Sequence, residues 1–253
     1  MGVLNVTPDS FSGDGIYMRP EEAAERAAAM VEAGAEVLDL GGESTRPGYS
    51  PVDLDEEIVR VIPALRAIVR RVEVPISVDT TRAAVAEQAL AEGASIINDV
   101  SGLSDPRMLH VVAEARASLV IVHHGGRQHG SLVPSVVAQL RHLVVEAEAS
   151  GVDPRAIAVD PGLGIGKGWR ENFEIMRDLE ALAVLGKSIL VGPSRKGMIG
   201  RVLGVDVHDR LEGSIALLSL CVAKGADIVR VHDVQEMVRA ARVMDALVRS
   251  ARL

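Results

Sequence analysis

Short runs of branched aliphatic residues alternate along the chain with longer alanine-rich stretches of helical periodicity, and most of the short runs stop on a polar residue. The first run, from Met1 to Val6, is interrupted by Asn5 and halted by Thr7-Pro8-Asp9. Proline cannot donate to a sheet ladder and biases its predecessor toward extended geometry. This predicts a buried strand ending at Asn5 or Val6, then a loop rich in Ser, Asp and Gly over 7–15. Pro20 opens a helix over 21–33 that Gly34 can close. A strand over 36–40 runs into the Gly-rich loop 41–48, and a helix covers 53–71 with Pro63 as a kink or restart. The rhythm then repeats, with strands at 75–78, 94–97, 118–122, 156–159, 188–191 and 227–231. Helices are expected at 82–91, 105–115, 134–149, 171–184, 209–223 and after 233.

Eight strands, each followed by a helix, imply parallel pairing. Eight such units in 253 residues predict a single α/β domain over 1–253, an eight-stranded parallel (β/α)8 TIM barrel. An open doubly wound sheet is the alternative, but it concentrates polar strand ends near one switch point. Here polar residues end nearly every strand.

Composition narrows the partners. Apolar residues make up 48% and aromatics only 2%, so the core must be Ala, Val, Leu and Ile. The net charge of −8, with no long basic run, argues against nucleic acid. An anionic substrate must then be drawn in by local cations. The single cysteine, Cys221, excludes an intrachain disulfide and fits a reducing cytoplasm. No apolar run approaches a membrane span and no signal-peptide pattern is present, so a cytoplasmic protein with no membrane partner is expected. The chain opens almost on its first strand, which is compatible with further residues ahead of Met1 or with a bare lower face.

In a barrel all strand ends face one rim, where active sites lie. Those ends bring together Asn5, Asp79, Asn98, His123, Asp160, the Ser194-Arg195-Lys196 trio and the Arg230/His232 pair. Asp and Asn at strand ends are commonly turn formers and caps. Capping, however, does not call for Arg, Lys and His at the same rim. Asp79, Asn98 and Asp160 suit a heterocycle with adjacent N–H donors, such as an aminopyrimidinone. Thr45, Arg46, Arg230 and His232 bring donors and positive charge suited to phosphate or pyrophosphate. Lys196 is expected just inside a helix start, where backbone N–H groups favour an anion. Arg230 and His232 alternate with Val231, so they face one way. The alternative for Arg230 is a pairing with a neighbouring acid.

Several other groups read as structural. The segment Asp160-Pro-Gly-Leu-Gly-Ile-Gly-Lys167 lacks the spacing of either nucleotide loop, and its glycines suit a backbone passing close to a flat ligand. His123, His124 and His129 lack the spacing of a helical zinc pair. His110, His142 and His208 are expected at the surface and Cys221 in the core, while Trp169 either packs at its helix start or shields a pocket.

The segments 1–15, 41–48, 77–80, 98–102, 160–167, 194–196 and 229–234 together resemble the dihydropteroate synthase family, a folate-biosynthesis family targeted by sulfonamides. The resemblance runs from first strand to last. It implies a transferase that joins 6-hydroxymethyl-7,8-dihydropterin pyrophosphate to p-aminobenzoate, releasing pyrophosphate, with Mg2+ and as a homodimer. It assigns Asp79, Asn98, Asp160 and Lys196 to the pterin. Asn5, Thr45, Arg46, Arg230 and His232 match the pyrophosphate and metal site, with Asn5 the metal ligand. Catalytic roles fall to Asn5, Arg46, Lys196, Arg230 and His232. The loops 7–15 and 45–48 match those that close over p-aminobenzoate, the first ordering only with pyrophosphate and Mg2+ and using Phe11.

Three departures from the family pattern bear on the substrates. Ser10-Phe11-Ser12-Gly13-Asp14-Gly15 shifts the loop carboxylate by one residue, Val122-His123-His124 and Gln128 alter a pocket wall, and Ile165 replaces a common Phe. A corrinoid-linked methyltetrahydrofolate methyltransferase would share barrel and pterin site but has no use for a pyrophosphate cradle. A catalytically silent pterin binder would draw on the altered 13–14 loop.

Overall fold

The structure is a computed structural model that describes residues 1–6, 19–42, 52–127 and 130–249. The expected loops at 7–15 and 45–48, with Thr45, Arg46 and Gln128, lie outside the described residues. β1 (Gly2–Asn5) leads to α1 (Pro20–Glu32), β2 (Leu38–Gly41) to α2 (Leu54–Val69), and β3 (Ile76–Asp79) to α3 (Ala83–Ala91). β4 (Ile96–Asp99) leads to α4 (Met108–Ala115), β5 (Ser118–Val122) to α5 (Leu132–Ala149), and β6 (Ile157–Asp160) to α6 (Trp169–Arg177). β7 (Ser188–Val191) is followed by a short α7 (Gly197–Leu203) and by α8 (Leu211–Ala223), then β8 (Ile228–Val229) and α9 (Val234–Val248).

The strands lie in sequence order, β1 to β8, every neighbouring pair parallel. A parallel bridge between Gly2 and Val231 joins the last strand to the first. Three bonds make that seam: Val3 N–H to the Val231 carbonyl and Val231 N–H to that of Met1, both 2.9 Å, and the Met1 ammonium to the Val229 carbonyl at 3.0 Å. The eight-stranded parallel (β/α)8 architecture read from the pattern is the one present.

Strand parity sorts the side chains. Leu38, Leu40, Ile76, Val78, Leu119, Ile121, Val159 and Val191 point outward into one large core shared with the helices. Val120, Val122, Ala158 and Leu190 point inward and form a smaller plug within the barrel. The inward row continues upward into Asn5, Asp79, Asn98 and Asp160, because residues two apart share a face. Side-chain period, not loop geometry, thus delivers the polar strand ends to one rim.

Local chemistry explains most element bounds. Asp53 caps α2 by accepting from the Glu56 N–H at 2.8 Å, and three acids occupy the first turn. α2 continues through Pro63 rather than restarting there. The expected 171–184 helix divides instead, α6 ending at Arg177 and a 3-10 stretch covering Leu179–Leu185. β8 is shorter than its aliphatic run, since regular pairing with β7 covers only Ile228 and Val229. Cys221 is fully buried in α8, and burial pushes its thiol up to about 12, so it is an inert core residue. His110, His142 and His208 are exposed, as expected.

The glycines after β6 serve the protein backbone itself. Gly162, Gly164 and Gly166 all have positive φ, from 65° to 77°. A Cβ on Gly162 would stand 1.9 Å from the His123 carbonyl oxygen, and one on Gly166 2.7 Å from the Gly125 Cα. They let the loop after β6 pack onto the loop after β5. Gly162→Ala is therefore expected to destabilise the fold by about 2–4 kcal/mol. The test is a urea denaturation midpoint that falls with an unchanged slope.

Candidate active site

A cavity of about 640 Å³ opens at the C-terminal rim and is lined by Asn5, Asp79, Lys196, Arg230 and His232 among others. Six cations reach it: Lys167, Arg195, Lys196, Arg201, Arg210 and Arg230. Asp79 is the sole acidic residue among the described lining residues. A chain of net charge −8 has thus gathered its cations around one cavity, the local field an anionic ligand needs.

At the inner end Arg230 lies between two carboxylates. Its Nε donates to Asp39 Oδ2 at 2.6 Å and its Nη2 to Asp79 Oδ2 at 2.8 Å. Burial opposes the guanidinium charge, but Asp39 and Asp79 hold Arg230 above its ordinary range. Burial also pushes Asp79 up to about 7, against the pull of Arg230 and with the help of Asp39. Asp39 has no solvent exposure, and its Oδ1 has no hydrogen-bond partner.

Beside this triad, Asp160 is buried and its Oδ1 accepts the Gly162 N–H at 2.6 Å. Burial raises its carboxyl, while Gly162, Lys196, Arg230 and Lys167 work the other way. Asn98 is 2% exposed with an unpartnered Oδ1, an acceptor held ready within the barrel. The Asn5 side chain makes no hydrogen bond to any described residue, and the loop that its amide could tie down lies outside the described residues.

The chain is 45% identical over 249 residues to the dihydropteroate synthase of Bacillus subtilis, covering 98% of this chain and 87% of that protein. Residues 1–232 match the family described as pterin binding enzyme. The chain belongs to the pterin-binding enzymes, among the dihydropteroate synthases. Its fold superposes on the Clostridium difficile dihydropteroate synthase, solved in the presence of pteroic acid, with a TM-score of 0.94 and 45% identity, covering 98% and 95% of the two chains. The Xanthomonas albilineans dihydropteroate synthase in complex with 7,8-dihydropteroate gives 0.90 at 38% identity, covering 98% of this chain and 92% of that one.

Within this dihydropteroate synthase fold, the described site residues expected from the sequence divide into two groups. Asn5, Asp79, Lys196, Arg230 and His232 line the cavity; Asn98 and Asp160 stand beside it without lining it. Thr45 and Arg46 lie outside the described residues. His123 ends β5 on the outward parity, buried and away from the cavity wall. Burial and Lys167 lower it to about 4, so it is a neutral core imidazole.

Two expectations need correction. His232 does not supply positive charge, because burial and Arg230 lower it to about 3. Ser194 Oγ accepts the His232 backbone N–H at 3.2 Å and lies 3.1 Å from Nδ1. The hydroxyl can then donate to Nδ1, which assigns the remaining proton to Nε2 and leaves His232 a neutral donor. Lys196 is not inside a helix; it is the residue before α7, a helix of only seven residues. Arg195 lines the cavity as part of the trio, adopts φ 57° and pairs with Asp233, with Nε 3.0 Å from Oδ2.

Sequence reasoning overlooked Asp39 and Lys167. Asp39 is the one acid between Leu38 and Leu40, on the inward parity of β2 and short of the strand end. Lys167 donates to the carbonyls of His123, Gly162 and Ile165 at 3.0–3.1 Å, pinning the β6 loop to the end of β5. Trp169 does both things considered for it. It begins α6, packs edge-on against Phe173 and lines the cavity, with Arg170 over its ring at 4.4 Å.

Burial and the neighbouring Arg230 lower Lys196 to about 8, against Asp160 and Asp79. As pH rises through about 8 the ammonium is lost, and with it a positive charge facing both acids. kcat/KM should therefore fall on an alkaline limb near that pH. In Lys196→Arg the limb should be absent up to roughly pH 10, since a guanidinium stays charged. A pH–rate profile of the parent that stays flat through about pH 9 would exclude a role for the lysine charge.

Proposed function

We propose that the chain condenses 6-hydroxymethyl-7,8-dihydropterin pyrophosphate with p-aminobenzoate, giving 7,8-dihydropteroate and pyrophosphate. The observation that carries this reading is the juxtaposition of Asp79 and Lys196 with Arg230 and His232 in the wall of a cation-lined cavity, with Asn98 and Asp160 at the neighbouring strand ends. The acids and the free Asn98 oxygen accept from the 2-amino group and ring N–H of the pterin, and Lys196 donates to its acceptors. Arg230 and the Nε2–H of His232 then face the pyrophosphate.

The chemistry needs little proton transfer. The pterin methylene C–O bond breaks and its electron pair leaves with pyrophosphate, so the methylene carbon becomes cationic and conjugated to the ring. The aniline nitrogen donates its lone pair to that carbon and afterwards loses a proton. Arg230 stabilises charge that develops on the leaving group, which lowers the barrier. Arg230 is largely buried, its side chain 18% exposed, and the lower local dielectric strengthens that interaction.

The same reading includes Mg2+. Mg2+ is commonly bound through one or two protein oxygens plus substrate phosphates. Asn5 fits, a rim amide with no bond to a described residue, whereas no cluster of three His, Cys, Asp or Glu residues suits a metal among the described ones. Bound there, the ion would neutralise the departing pyrophosphate. A cytoplasmic homodimer completes the reading; sedimentation giving a mass near twice 26.8 kDa would check the assembly. No described helix is long and apolar enough to cross a membrane.

Incubation of both substrates with Mg2+, read by pyrophosphate release, tests the activity. Release that requires p-aminobenzoate is the expected result. Pterin binding without release would instead support the silent binder.

A further inference from the structure

We propose that the Arg230–Asp79 ion pair is a latch on the pterin site, opened by the pyrophosphate of the substrate while Asp39 retains the guanidinium. The proposal rests on the reading of Asp79 as a pterin acceptor. Asp79 Oδ2 is occupied by Arg230 Nη2 at 2.8 Å, so one of the two carboxylate oxygens that would accept from the pterin is already engaged. Arg230 has a second anchor, Nε on Asp39 Oδ2 at 2.6 Å. Asp39 is fully buried on β2 and does not line the cavity, while Arg230 and Asp79 both do. Asp39 thus holds the guanidinium from below the site through both Nε and Nη2, and the same Nη2 reaches across to Asp79 and closes it.

The geometry sets unequal costs for two ligands. A pterin without phosphate must compete with Arg230 for Asp79 and offers the guanidinium nothing in return. The guanidinium would then keep only Asp39 of its two carboxylates, a loss of charge pairing that the neutral pterin does not offset. The pyrophosphate ester gives Nη2 a new anion, charge-assisted and suited to a guanidinium fork. Asp79 is freed by the same movement that binds the leaving group. The pair would therefore select the activated pterin over its unphosphorylated alcohol, beyond the direct contacts of the pyrophosphate.

Titration calorimetry at fixed ionic strength and fixed Mg2+ tests this, with 6-hydroxymethylpterin and inorganic pyrophosphate as separate ligands. In the parent, saturating pyrophosphate should tighten pterin binding tenfold or more, and pterin should tighten pyrophosphate by the same factor. In Arg230→Gln, pterin alone should bind at least fivefold tighter than to the parent. Loss of a mere pyrophosphate ligand would leave that affinity unchanged. No coupling in the parent, which requires no variant, overturns the latch, as does unchanged or weaker pterin binding in a folded Arg230→Gln. Asp79→Asn separates the latch from the reading beneath it. If that variant binds pterin as the parent does, the pterin role of Asp79 fails and the latch with it. If it loses affinity while the parent shows no coupling, the latch alone fails.

Discussion

Arg230→Ala is expected to lower kcat/KM about 100-fold or more, by analogy with the loss of a donor that stabilises developing charge. The guanidinium is the cation most tightly held at the inner end of the cavity, anchored to Asp39 and Asp79. Its loss removes charge stabilisation from the departing pyrophosphate. It also leaves Asp39, with no solvent exposure, as a buried carboxylate without its partner, so the variant should unfold at lower temperature as well. Kinetics must therefore be compared at equal folded fraction. Affinity distinguishes the chemical role from the structural one: pterin pyrophosphate should bind more weakly, whereas free pterin should not. Intact turnover, or equal losses for both ligands, would remove Arg230 from the pyrophosphate site and leave it a rim ion pair.

Asp160→Asn should weaken pterin binding by about 2–5 kcal/mol, roughly 30-fold at the lower bound. The structure sharpens the reason. Oδ1 of Asp160 accepts the Gly162 N–H at 2.6 Å. An asparagine there must keep its oxygen on that donor, which turns its NH2 toward the heterocycle. A donor then opposes the 2-amino and ring N–H donors, where a carboxylate would accept from both. The fold should tolerate the change, because the Gly162 bond survives. Calorimetry showing unchanged pterin affinity in the variant would exclude Asp160 from the site.

Much of the site was legible from residue type and spacing alone. Strand ends at Asn5, Asp79, Asn98 and Asp160 follow from where each aliphatic run stops, and a parallel barrel must carry them to one rim. The paired facing of Arg230 and His232 followed from their spacing around Val231, which is 3% exposed in the outer core. Asp39 was missed because a lone acid within an aliphatic run carries no strand-end signal. Its meaning appears only once Arg230 lies beside it.

What the sequence by itself determined is the succession of eight βα units and the rim to which their polar ends belong. Those follow from local periodicity and from the two-residue period of a strand, neither of which needs the rest of the molecule. Only the tertiary structure decided that Arg230 bridges Asp39 and Asp79, residues 191 and 151 positions away. That contact forms because the eighth strand closes against the first, at the Gly2–Val231 bridge. The same holds for His232, which burial keeps neutral, and for the glycines of the β6 loop, which answer to the His123 carbonyl and the Gly125 backbone. Residue type states what a group can do, but its charge and its partners depend on desolvation and on neighbours that chain closure brings together.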